Sequence, residues 1–433
     1  MRAIAIGDSD SYVKWGAAML SRLPAGWDAE LVLVRTPKQP SESQLATALS
    51  GSVIEPRSVR VLEFDAAVAR IRSERPDLVI AATIGPLADL VIAAVLDNAD
   101  WRPVVVSGMP GIALPERRRA LVYRSQADLV VLHSVTEVRR FRAIARHNSI
   151  AQDFALATLP FLLEARPGTG RDVVFAAQAL VPPRRDQRIR VLEWLAELAR
   201  RDPDRRVVVK VRAVDGEAQT HAERFGYAAL IEEHLANRPA NLVVEGGPMH
   251  EHLGRAGGLV TVSSTAAIEA IAHGVPVLVL DDFGVTPELI NEVFEGSGLL
   301  GGRAALIAAD FRIAEPDWLS DNYFHGVAAD TWLQAVQEKL ELAAEARLPV
   351  RERIVRGSGG ALRRAWDRRR ALGRHDGTAI GVLALAIGIP ARAVVLALGS
   401  LAAVTADRPR QPLALNDEAP ALERHRQQSP RSS

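Results

Sequence analysis

Short apolar runs alternate with amphipathic stretches along most of this chain. The runs are continuous in Val, Ile, Leu and Ala, which is typical of strands in a parallel sheet that is covered on both faces. The stretches between them, such as 65–74 and 86–96, have helical spacing, so the pattern predicts repeated βαβ units. The predicted strands of the first half are Ala3–Gly7, Glu30–Arg35, Arg60–Phe64, Asp77–Thr83, Pro103–Gly108, Asp128–His133 and Phe154–Leu159.

The alternation is interrupted at 164–171 by one Pro and two Gly, and then begins again. We therefore predict a hinge at this point. A chain of 433 residues is longer than one hydrophobic core normally serves, so two α/β domains are expected, over 1–163 and 171–346. The predicted elements of the second half are the strands Asp172–Ala177, Arg206–Val211, Asn241–Glu245, Leu259–Ser263 and Val275–Leu280 and the helices Gln187–Arg201, Tyr227–Ala236 and Thr265–His273.

The stretch 258–280 carries the strongest chemical signal. It reads as a buried strand, a hydroxyl-rich turn, a short helix and a second strand, with Ser263, Ser264 and Thr265 where the helix begins. Hydroxyl groups and unpaired N–H groups at a helix N-terminus favour a bound phosphate. The same residue types also cap ordinary helices, so a simple cap is the alternative. Glu269, one turn later, is placed to accept hydrogen bonds from a ribose.

This segment, from Ser263-Ser264-Thr265 to Gly274-Val275-Pro276, resembles the donor half of GT-B glycosyltransferases. It is most similar to the bacterial sialyltransferase, polysialyltransferase and capsule-polysaccharide group, and to uncharacterised actinobacterial glycosyltransferase-like proteins. The resemblance covers about residues 1–345. It implies two Rossmann-like domains facing a cleft, with the acceptor on 1–163 and a nucleotide-sugar donor on 171–346. It also implies a CMP-activated nonulosonic acid as donor, and neither a metal ion nor a cofactor beyond that donor.

Two carboxylates follow the first predicted strand, in Gly7-Asp8-Ser9-Asp10. Ligands of open parallel sheets bind beyond the carboxyl ends of the strands, so Asp8 and Asp10 are candidates for the general base that removes a proton from an acceptor hydroxyl. The alternative is that they cap the next helix or complement its dipole. His133, at the end of another predicted strand, is the second candidate base.

Further polar residues follow the strands of the second half. Alternation places the cations of Val209-Lys210-Val211-Arg212 on one face, where they suit a phosphate or a donor carboxylate. Glycines allow the backbone to approach a ligand or simply turn the chain. The His-Pro pair of the sialyltransferase group is absent near this strand, which argues against CMP. Beyond the hydroxyl turn and Glu269, the candidate donor-binding residues are Lys210, Arg212, His221, Glu245, Gly246 and Gly247.

Composition excludes several other classes of function. The chain has no Cys, which rules out disulfides, thiol catalysis and Cys-ligated metal. The net charge of +1 gives no reason to expect nucleic acid as a partner. No set of His and Asp residues has convincing metal-ligand spacing, and Asp281-Asp282 is better explained as a helix cap. The first eight residues predict a strand and not a signal peptide.

The character of the chain changes after residue 346. Basic clusters at 351–356 and 363–370 precede two apolar runs, 379–391 and 393–404, which are separated by Arg392. A central Arg disfavours a simple transmembrane helix. We therefore predict a helical extension over 347–406, in which 350–405 docks on an anionic membrane at its cytoplasmic face. A helix pair packed on the protein or in a dimer is the alternative. The polar tail 407–433 is predicted to be disordered.

Together these features predict an enzyme that moves a sugar from a nucleotide donor to a cell-surface glycan or a lipid-linked acceptor. The alternatives are a UDP- or GDP-sugar transferase, a polyol-phosphate polymerase on the same fold, and a catalytically silent scaffold that binds a glycan or a partner. The expected localisation is cytoplasmic, peripheral at the inner face of the cell membrane.

Overall fold

The computed structural model of the protein describes residues 1–97, 101–163, 165–211, 225–354, 360–384 and 386. The strands of the N-terminal domain are β1 Arg2–Gly7, β2 Asp28–Val34, β3 Arg60–Leu62, β4 Leu78–Ala82, β5 Val104–Gly108, β6 Leu129–Leu132 and β7 Phe154–Leu156. They pair in parallel in the order β3-β2-β1-β4-β5-β6-β7. The helices of this domain are α1 Asp10–Ser21, α2 Glu42–Leu49, α3 Phe64–Glu74, α4 Gly85–Leu96, α5 Arg118–Val122 and α6 Val135–His147.

A second parallel sheet forms the C-terminal domain. Its strands are β8 Asp172–Ala176, β9 Val207–Lys210, β10 Leu242–Glu245, β11 Ala256–Thr261, β12 Val277–Leu280 and β13 Leu300–Gly301, in the order β10-β9-β8-β11-β12-β13. The helices are α7 Arg185–Arg201, α8 Tyr227–His234, α9 Met249–Arg255, α10 Thr265–Ala272, α11 Arg303–Ile307 and α12 Pro316–Asp321. Two further helices, α13 Trp332–Ala344 and α14 Gly360–Leu372, follow.

The central strands of each sheet are buried on both faces, which explains why β4, β6 and β12 consist of apolar residues. Successive side chains of a strand point to opposite faces. In β1, Ile4 and Ile6 accordingly pack in one cluster with α3 and α4, whereas Ala3 and Ala5 pack in another with Trp15 of α1. The predicted architecture of two Rossmann-like domains is confirmed. Each predicted strand is present, and the structure adds β13, whose two residues are too few to give a periodic signal.

The chain returns to the N-terminal domain after α12. Thr331 donates its backbone N–H to the carbonyl of Leu156 in β7, at 2.9 Å. Trp332 and Val336 of α13 are then buried in the N-terminal core, in the cluster that also contains Trp15. The segment 171–346 therefore does not pack as one unit, because its last helix belongs to the first domain.

Part of the C-terminal extension is folded on the N-terminal domain. Ala371 and Leu372 of α14 are buried in the cluster that contains α4. Residues 351–354 run along the same domain, where Arg353 forms an ion pair with Asp89 at 2.7 Å. No helix in the described part of the chain combines the length and the apolar character needed to cross a membrane. Residue 385 and all residues from 387 onward lie outside the described residues, so the end of the first apolar run, the whole of the second run 393–404 and the tail 407–433 are not described.

Candidate functional site

The carboxyl edges of the two sheets meet where the domains contact each other. Gly111, in the loop after β5, lies against Thr265 at the start of α10. A Cβ atom at Gly111 would be 2.9 Å from Thr265 Oγ1, and the backbone φ of Gly111 is +79°, so both space and conformation require glycine here. Leu114 of the same loop is buried with Ala266 and Ala267 of α10. The loop of the first domain therefore closes directly on the predicted phosphate turn.

The three hydroxyls of this turn have different surroundings. Ser263 is buried and donates to the carbonyl of Ile290 at 2.7 Å, which holds the segment after β12. Ser264 caps α10, because its Oγ accepts the N–H of Ala266 at 3.1 Å. Thr265 is partly exposed at the interface with Gly111. The cap is thus present, and Thr265 is the hydroxyl of the three that lies at the cleft.

The other candidate donor residues are distributed around the same edge. Glu269 lies one turn along α10 and is partly buried. Lys210 ends β9, almost fully buried, beside Glu245 of β10. Gly247, with φ of +88°, turns the chain after β10, and the carbonyl of Gly246 lies 2.7 Å from Nε2 of His252. Arg212 and His221 lie outside the described residues.

The side chain of Glu245 is held by basic residues of its own domain. It forms an ion pair with Arg206 and lies 3.7 Å from Arg255 and 3.5 Å from Nδ1 of His252. Arg206 also pairs with Asp172 at 3.1 Å. These contacts favour a structural ion-pair cluster over a ligand contact for Glu245.

Asp8 follows β1 and is fully buried. Its carboxylate accepts the hydroxyl of Ser9 at 3.1 Å and the backbone N–H of Ile84 at 3.3 Å, so it joins the loops after β1 and β4. Burial raises the pKa of Asp8 to about 6, although these two hydrogen bonds and the charges of Lys38 and Arg124 favour the ionised form. The group is therefore a carboxylate that takes up a proton just below neutral pH.

Asp10 has a different environment, although it is only two residues away. It is the first residue of α1 and is partly exposed, and its Oδ1 accepts the hydroxyl of Ser11 at 3.3 Å. The N-terminal end of a helix favours a negative charge. Of the two predicted carboxylates, Asp10 is the one that a bound molecule could reach.

A buried arginine supports this edge of the N-terminal sheet. Arg124 donates to the hydroxyl of Tyr12 at 3.0 Å, to that of Ser107 at 3.1 Å and to the carbonyl of Gly108 at 3.2 Å. Because Arg124 is almost inaccessible to solvent, its charge is screened little and acts on Asp8 through the protein. The first turn of α1 and the end of β5 are therefore fixed to one cation.

His133 follows β6 and has no exposed surface. Trp15 donates its indole N–H to Nε2 at 2.8 Å, so the ring proton is on Nδ1, which donates to the carbonyl of Ala157 at 2.6 Å. Burial lowers the pKa of His133 to about 4. Both ring nitrogens are thus bonded within the protein, and this geometry does not favour the predicted role as second candidate base.

Glu137 is a buried group that the sequence reasoning missed. It lies in the first turn of α6 and accepts the N–H of Ala113 at 2.8 Å, the N–H of His133 at 3.1 Å and the hydroxyl of Tyr323 at 2.7 Å. Burial raises the pKa of Glu137 to about 7, against the effect of these hydrogen bonds. Glu137 therefore ties the 109–114 loop and α6 to the segment that follows α12.

The spacing Ser134-x-x-Glu137 is the sequence signal that could have identified this residue. It matches a capping box, and Ser134 does accept the N–H of Glu137 at 3.3 Å. The contact of Gly111 with Thr265 had no comparable signal, because it joins residues that are far apart in the chain.

A second tie between the domains is an ion-pair cluster around Asp330. Its carboxylate pairs with Arg22, which follows the end of α1, accepts the N–H of Thr158 at 2.7 Å and lies 3.2 Å from Nε2 of His325. Burial alone would raise the pKa of Asp330, but the hydrogen bonds from His325, Arg22 and Thr158 hold it below the usual value. This cluster fixes the point where the chain recrosses to the N-terminal domain.

No three His, Asp or Glu side chains among the described residues lie close enough together to hold a metal ion. The expected helix cap at Asp281-Asp282 is present, because Asp282 accepts the N–H of Arg303 at 2.9 Å, at the start of α11.

Solved structures with a similar fold include proteins that are described with UDP or UDP-GlcNAc bound. S. aureus MnaA with UDP matches with a TM-score of 0.52 at 13% identity, over 80% of this chain and 97% of that one. The UDP-GlcNAc 2-epimerase of Methanocaldococcus jannaschii with UDP-GlcNAc and UDP matches with a TM-score of 0.53 at 11% identity, over 80% and 100%. At these identities the likeness establishes the GT-B fold. A search of proteins with curated functions gives no match.

The sequence itself matches one family model, described as "Putative glycosyltransferase (DUF6716)", over residues 3–339. The match spans both sheets, the hydroxyl turn 263–265 and the first residues of α13. Because it covers well over half of the 433 residues, the chain belongs to this glycosyltransferase family.

Proposed function

We propose that the protein transfers a sugar from a nucleotide donor, bound by the C-terminal domain, to an acceptor on the N-terminal domain. The observation that carries the proposal is the position of Thr265 at the N-terminal turn of α10, facing Gly111 across the domain interface. A helix N-terminus and a reachable hydroxyl provide the donors that a phosphate needs. The family match supports the same reaction class.

The proposed donor site is built around the start of α10. The phosphate accepts hydrogen bonds from Thr265 and from the hydroxyl of Ser264, whose oxygen already accepts the N–H of Ala266. Glu269 binds the ribose, and Lys210 supplies a nearby cation. We keep Arg212 and His221 as donor contacts on sequence grounds. Gly246 and Gly247 let the backbone approach the nucleotide, whereas Glu245 stabilises the strand end through its ion pairs.

Two donor classes deserve a direct test. The resemblance of the hydroxyl turn to sialyltransferases favours a CMP-activated nonulosonic acid. The structural neighbours carry UDP and UDP-GlcNAc in their descriptions and align over 97–100% of their length. We propose a UDP-sugar as the first donor to examine, since the His-Pro pair typical of the CMP-dependent group is absent.

We propose Asp10 as the general base that deprotonates the acceptor hydroxyl. It is partly exposed at the carboxyl edge of the N-terminal sheet, whereas Asp8 is fully buried and both nitrogens of His133 are bonded to the protein. General base catalysis contributes about 10²–10⁴-fold in rate, so Asp10→Asn should lose that much turnover with donor affinity preserved.

The acceptor that we propose is a cell-surface glycan or a lipid-linked saccharide, met at the cytoplasmic face of the membrane. The resemblance to GT-B transferases also implies that transfer needs no metal ion and no cofactor beyond the donor. Turnover that is unchanged by EDTA would support this part of the proposal, and turnover restored by a divalent cation after chelation would contradict it.

Matched substitutions at two threonines test the donor site. Thr265→Val removes the hydroxyl at the cleft with little change of shape, and should weaken nucleotide binding by about 1–3 kcal/mol, the value of a hydrogen bond to a charged group. Thr261→Val is the control, because its hydroxyl is buried and donates to the carbonyl of Ala176 at 3.0 Å. The control should lose stability but keep its nucleotide affinity.

The measurement is calorimetric titration of both variants and the parent with UDP, CMP and GDP. Selective binding of UDP or CMP by the parent, weakened only by Thr265→Val, supports the proposal and identifies the donor class. Binding that both variants preserve would place the phosphate elsewhere. A parent that binds none of the three would favour a catalytically silent scaffold.

A nucleotide-sugar epimerase is the second candidate function, because the Methanocaldococcus jannaschii protein named as a UDP-GlcNAc 2-epimerase aligns over 100% of its length. The two activities differ in their products. A transferase leaves free nucleotide only when an acceptor is present, whereas an epimerase changes the sugar without an acceptor.

A further inference from the structure

The described part of the C-terminal extension contacts the N-terminal domain at the carboxyl edge of its sheet. Gly373, just after α14, packs so closely on Pro37 that it has no room for a Cβ atom. Pro37 belongs to the loop after β2, and the neighbouring Thr36 donates its hydroxyl to the carbonyl of Asp8 at 3.4 Å. The chain therefore leaves the domain on the side where the loops of the candidate site lie.

The arginines of this segment fall into two sets. One set is anchored: Arg368 pairs with Asp65 at 2.7 Å and with Asp376 at 3.1 Å, and its guanidinium lies 4.6 Å from the centre of the Phe64 ring. The other set points outward, since Arg364 and Arg370 are exposed and have no acidic partner within the described ranges. Residues 360–384 contain six Arg and only two Asp, so the outward surface is positive.

In the next helical residues, 379–384, the large apolar side chains are exposed to solvent, whereas a helix on a protein surface usually turns such side chains toward the core. Ile380, Val382 and Leu383 are 49%, 55% and 54% exposed, whereas the small Gly381 and Ala384 face the protein. This orientation is fixed at its start, because the hydroxyl of Thr378 accepts the N–H of Gly381 at 3.3 Å. The apolar face is therefore presented outward by specific contacts.

Thr378 is itself anchored through Asp376. The buried carboxylate of Asp376 accepts the hydroxyl of Thr378 at 2.8 Å and the guanidinium of Arg368 at 3.1 Å. The same arginine that binds α14 to the N-terminal domain thus also sets the direction of the apolar face. Beyond residue 384 the sequence stays apolar to Val404, with Arg392 as the single charge of that stretch.

We propose that the apolar face of Ile380, Val382 and Leu383, together with the exposed Arg364 and Arg370, docks on an anionic lipid surface. Apolar side chains that enter the interface and cations that meet lipid headgroups act together where either signal alone is marginal. Charge complementarity selects lipid over a second copy, because two copies would bring the same positive surfaces together. The proposal does not depend on the proposed glycosyl transfer.

Vesicle co-sedimentation of the full-length protein tests the proposal. The probes are vesicles of phosphatidylcholine alone and of equal parts phosphatidylcholine and phosphatidylglycerol, at low and high salt. The parent should bind the anionic vesicles, and more weakly at high salt. Ile380→Asn combined with Leu383→Asn should lower the partition coefficient by about tenfold or more, since two half-exposed apolar side chains no longer enter the interface.

Matched controls distinguish binding by this face from non-specific vesicle binding by exposed apolar or basic residues elsewhere. Ile313→Asn changes an isoleucine that is 82% exposed on the C-terminal domain, and should leave vesicle binding unchanged. Arg364→Gln with Arg370→Gln should reduce the salt dependence, whereas Arg200→Gln on α7 should not. Circular dichroism of each variant confirms that the fold is retained.

Three outcomes would overturn the proposal. They are a parent that ignores anionic vesicles, binding that the Ile380/Leu383 double variant retains in full, and a dimer in sedimentation analysis that the same double variant dissociates without lipid. The last result would assign the face to a second copy of the chain. Nucleotide titration is a separate readout, so failure here is distinguishable from failure of the proposed donor site.

Discussion

Replacing Asp8 by Asn separates the structural cost of a buried carboxylate from its chemistry. Asp8 is fully buried, and its neighbours Ser9 and Ile84 donate to it from two different loops. The substitution keeps the size of the side chain and one acceptor oxygen, but the amide cannot gain or lose a proton as the carboxyl group does. We therefore expect an effect on stability that depends on pH, with turnover changed by less than about tenfold, if Asp10 is the base.

The magnitude follows from the pKa of Asp8, which burial raises from 3.8 to about 6. One pKa unit corresponds to about 1.4 kcal/mol, so the ionised group costs the native state about 3 kcal/mol. The native state binds the proton more tightly than the unfolded chain does. This stabilising contribution is complete below the unfolded pKa and is lost as the pH rises through 6. Between pH 5 and pH 8 it should fall by about 1.4 kcal/mol.

Urea unfolding of the parent and of Asp8→Asn, from pH 5 to pH 8, measures this effect. The free energy of unfolding of the variant should rise relative to that of the parent by about 1–2 kcal/mol across the range, because only the parent titrates at this position. A difference that does not change with pH would refute the raised pKa. A loss of turnover of 10²–10⁴-fold in this variant, with Asp10→Asn fully active, would identify Asp8 as the base.

Two further substitutions test the contacts around the cleft. Gly108→Ala would make Cβ overlap the ring of Trp15. This overpacking should lower the free energy of unfolding by about 1–3 kcal/mol and disturb the hydrogen bond from Trp15 to His133. An unchanged melting temperature and tryptophan spectrum would contradict this packing. Tyr323→Phe removes the hydroxyl that donates to Glu137, and should cost about 1.5–3 kcal/mol above pH 7, where Glu137 is charged, but less at pH 5; an equal loss at both pH values would show that Glu137 does not titrate in this range.

The sequence predicts the fold well because the signal is local and repeated. Strands that are buried on both faces must be apolar at every position, and β4 and β6 show this without interruption. The right-handed crossover then leaves few ways to connect such strands. The same local signal does not indicate how the end of the segment 171–346 packs. The return of α13 to the first core depends on Trp332 joining the buried cluster that contains Trp15, although the two positions are more than 300 residues apart in the chain.

Site residues were predicted less completely, because strand position does not determine the direction of a side chain or its partners. Asp8 and His133 do lie at the carboxyl edge, but the structure buries both, and Trp15 and Ala157 occupy the ring nitrogens of His133. Glu245 lies at the end of β10 and is nevertheless turned to Arg206. Such partners come from distant parts of the chain, and no spacing rule reports them.

The two domains are held together on the N-terminal side by polar contacts at which one partner is buried. Glu137 accepts Tyr323 from the segment after α12, and Asp330 pairs with Arg22 close to the point where that segment recrosses. A buried carboxylate that loses a hydrogen-bond donor destabilises the native state, because its charge is left without a partner. These contacts therefore strongly favour one arrangement of the interface. Glu137 also accepts the N–H of Ala113, which belongs to the loop after β5. In the same loop, Gly111 lies against Thr265. Glu137 therefore fixes both the domain contact and the loop beside the proposed donor site. Substitutions that weaken its hydrogen bonds should raise the KM for the donor, with a smaller effect on the kcat that depends on the proposed base Asp10.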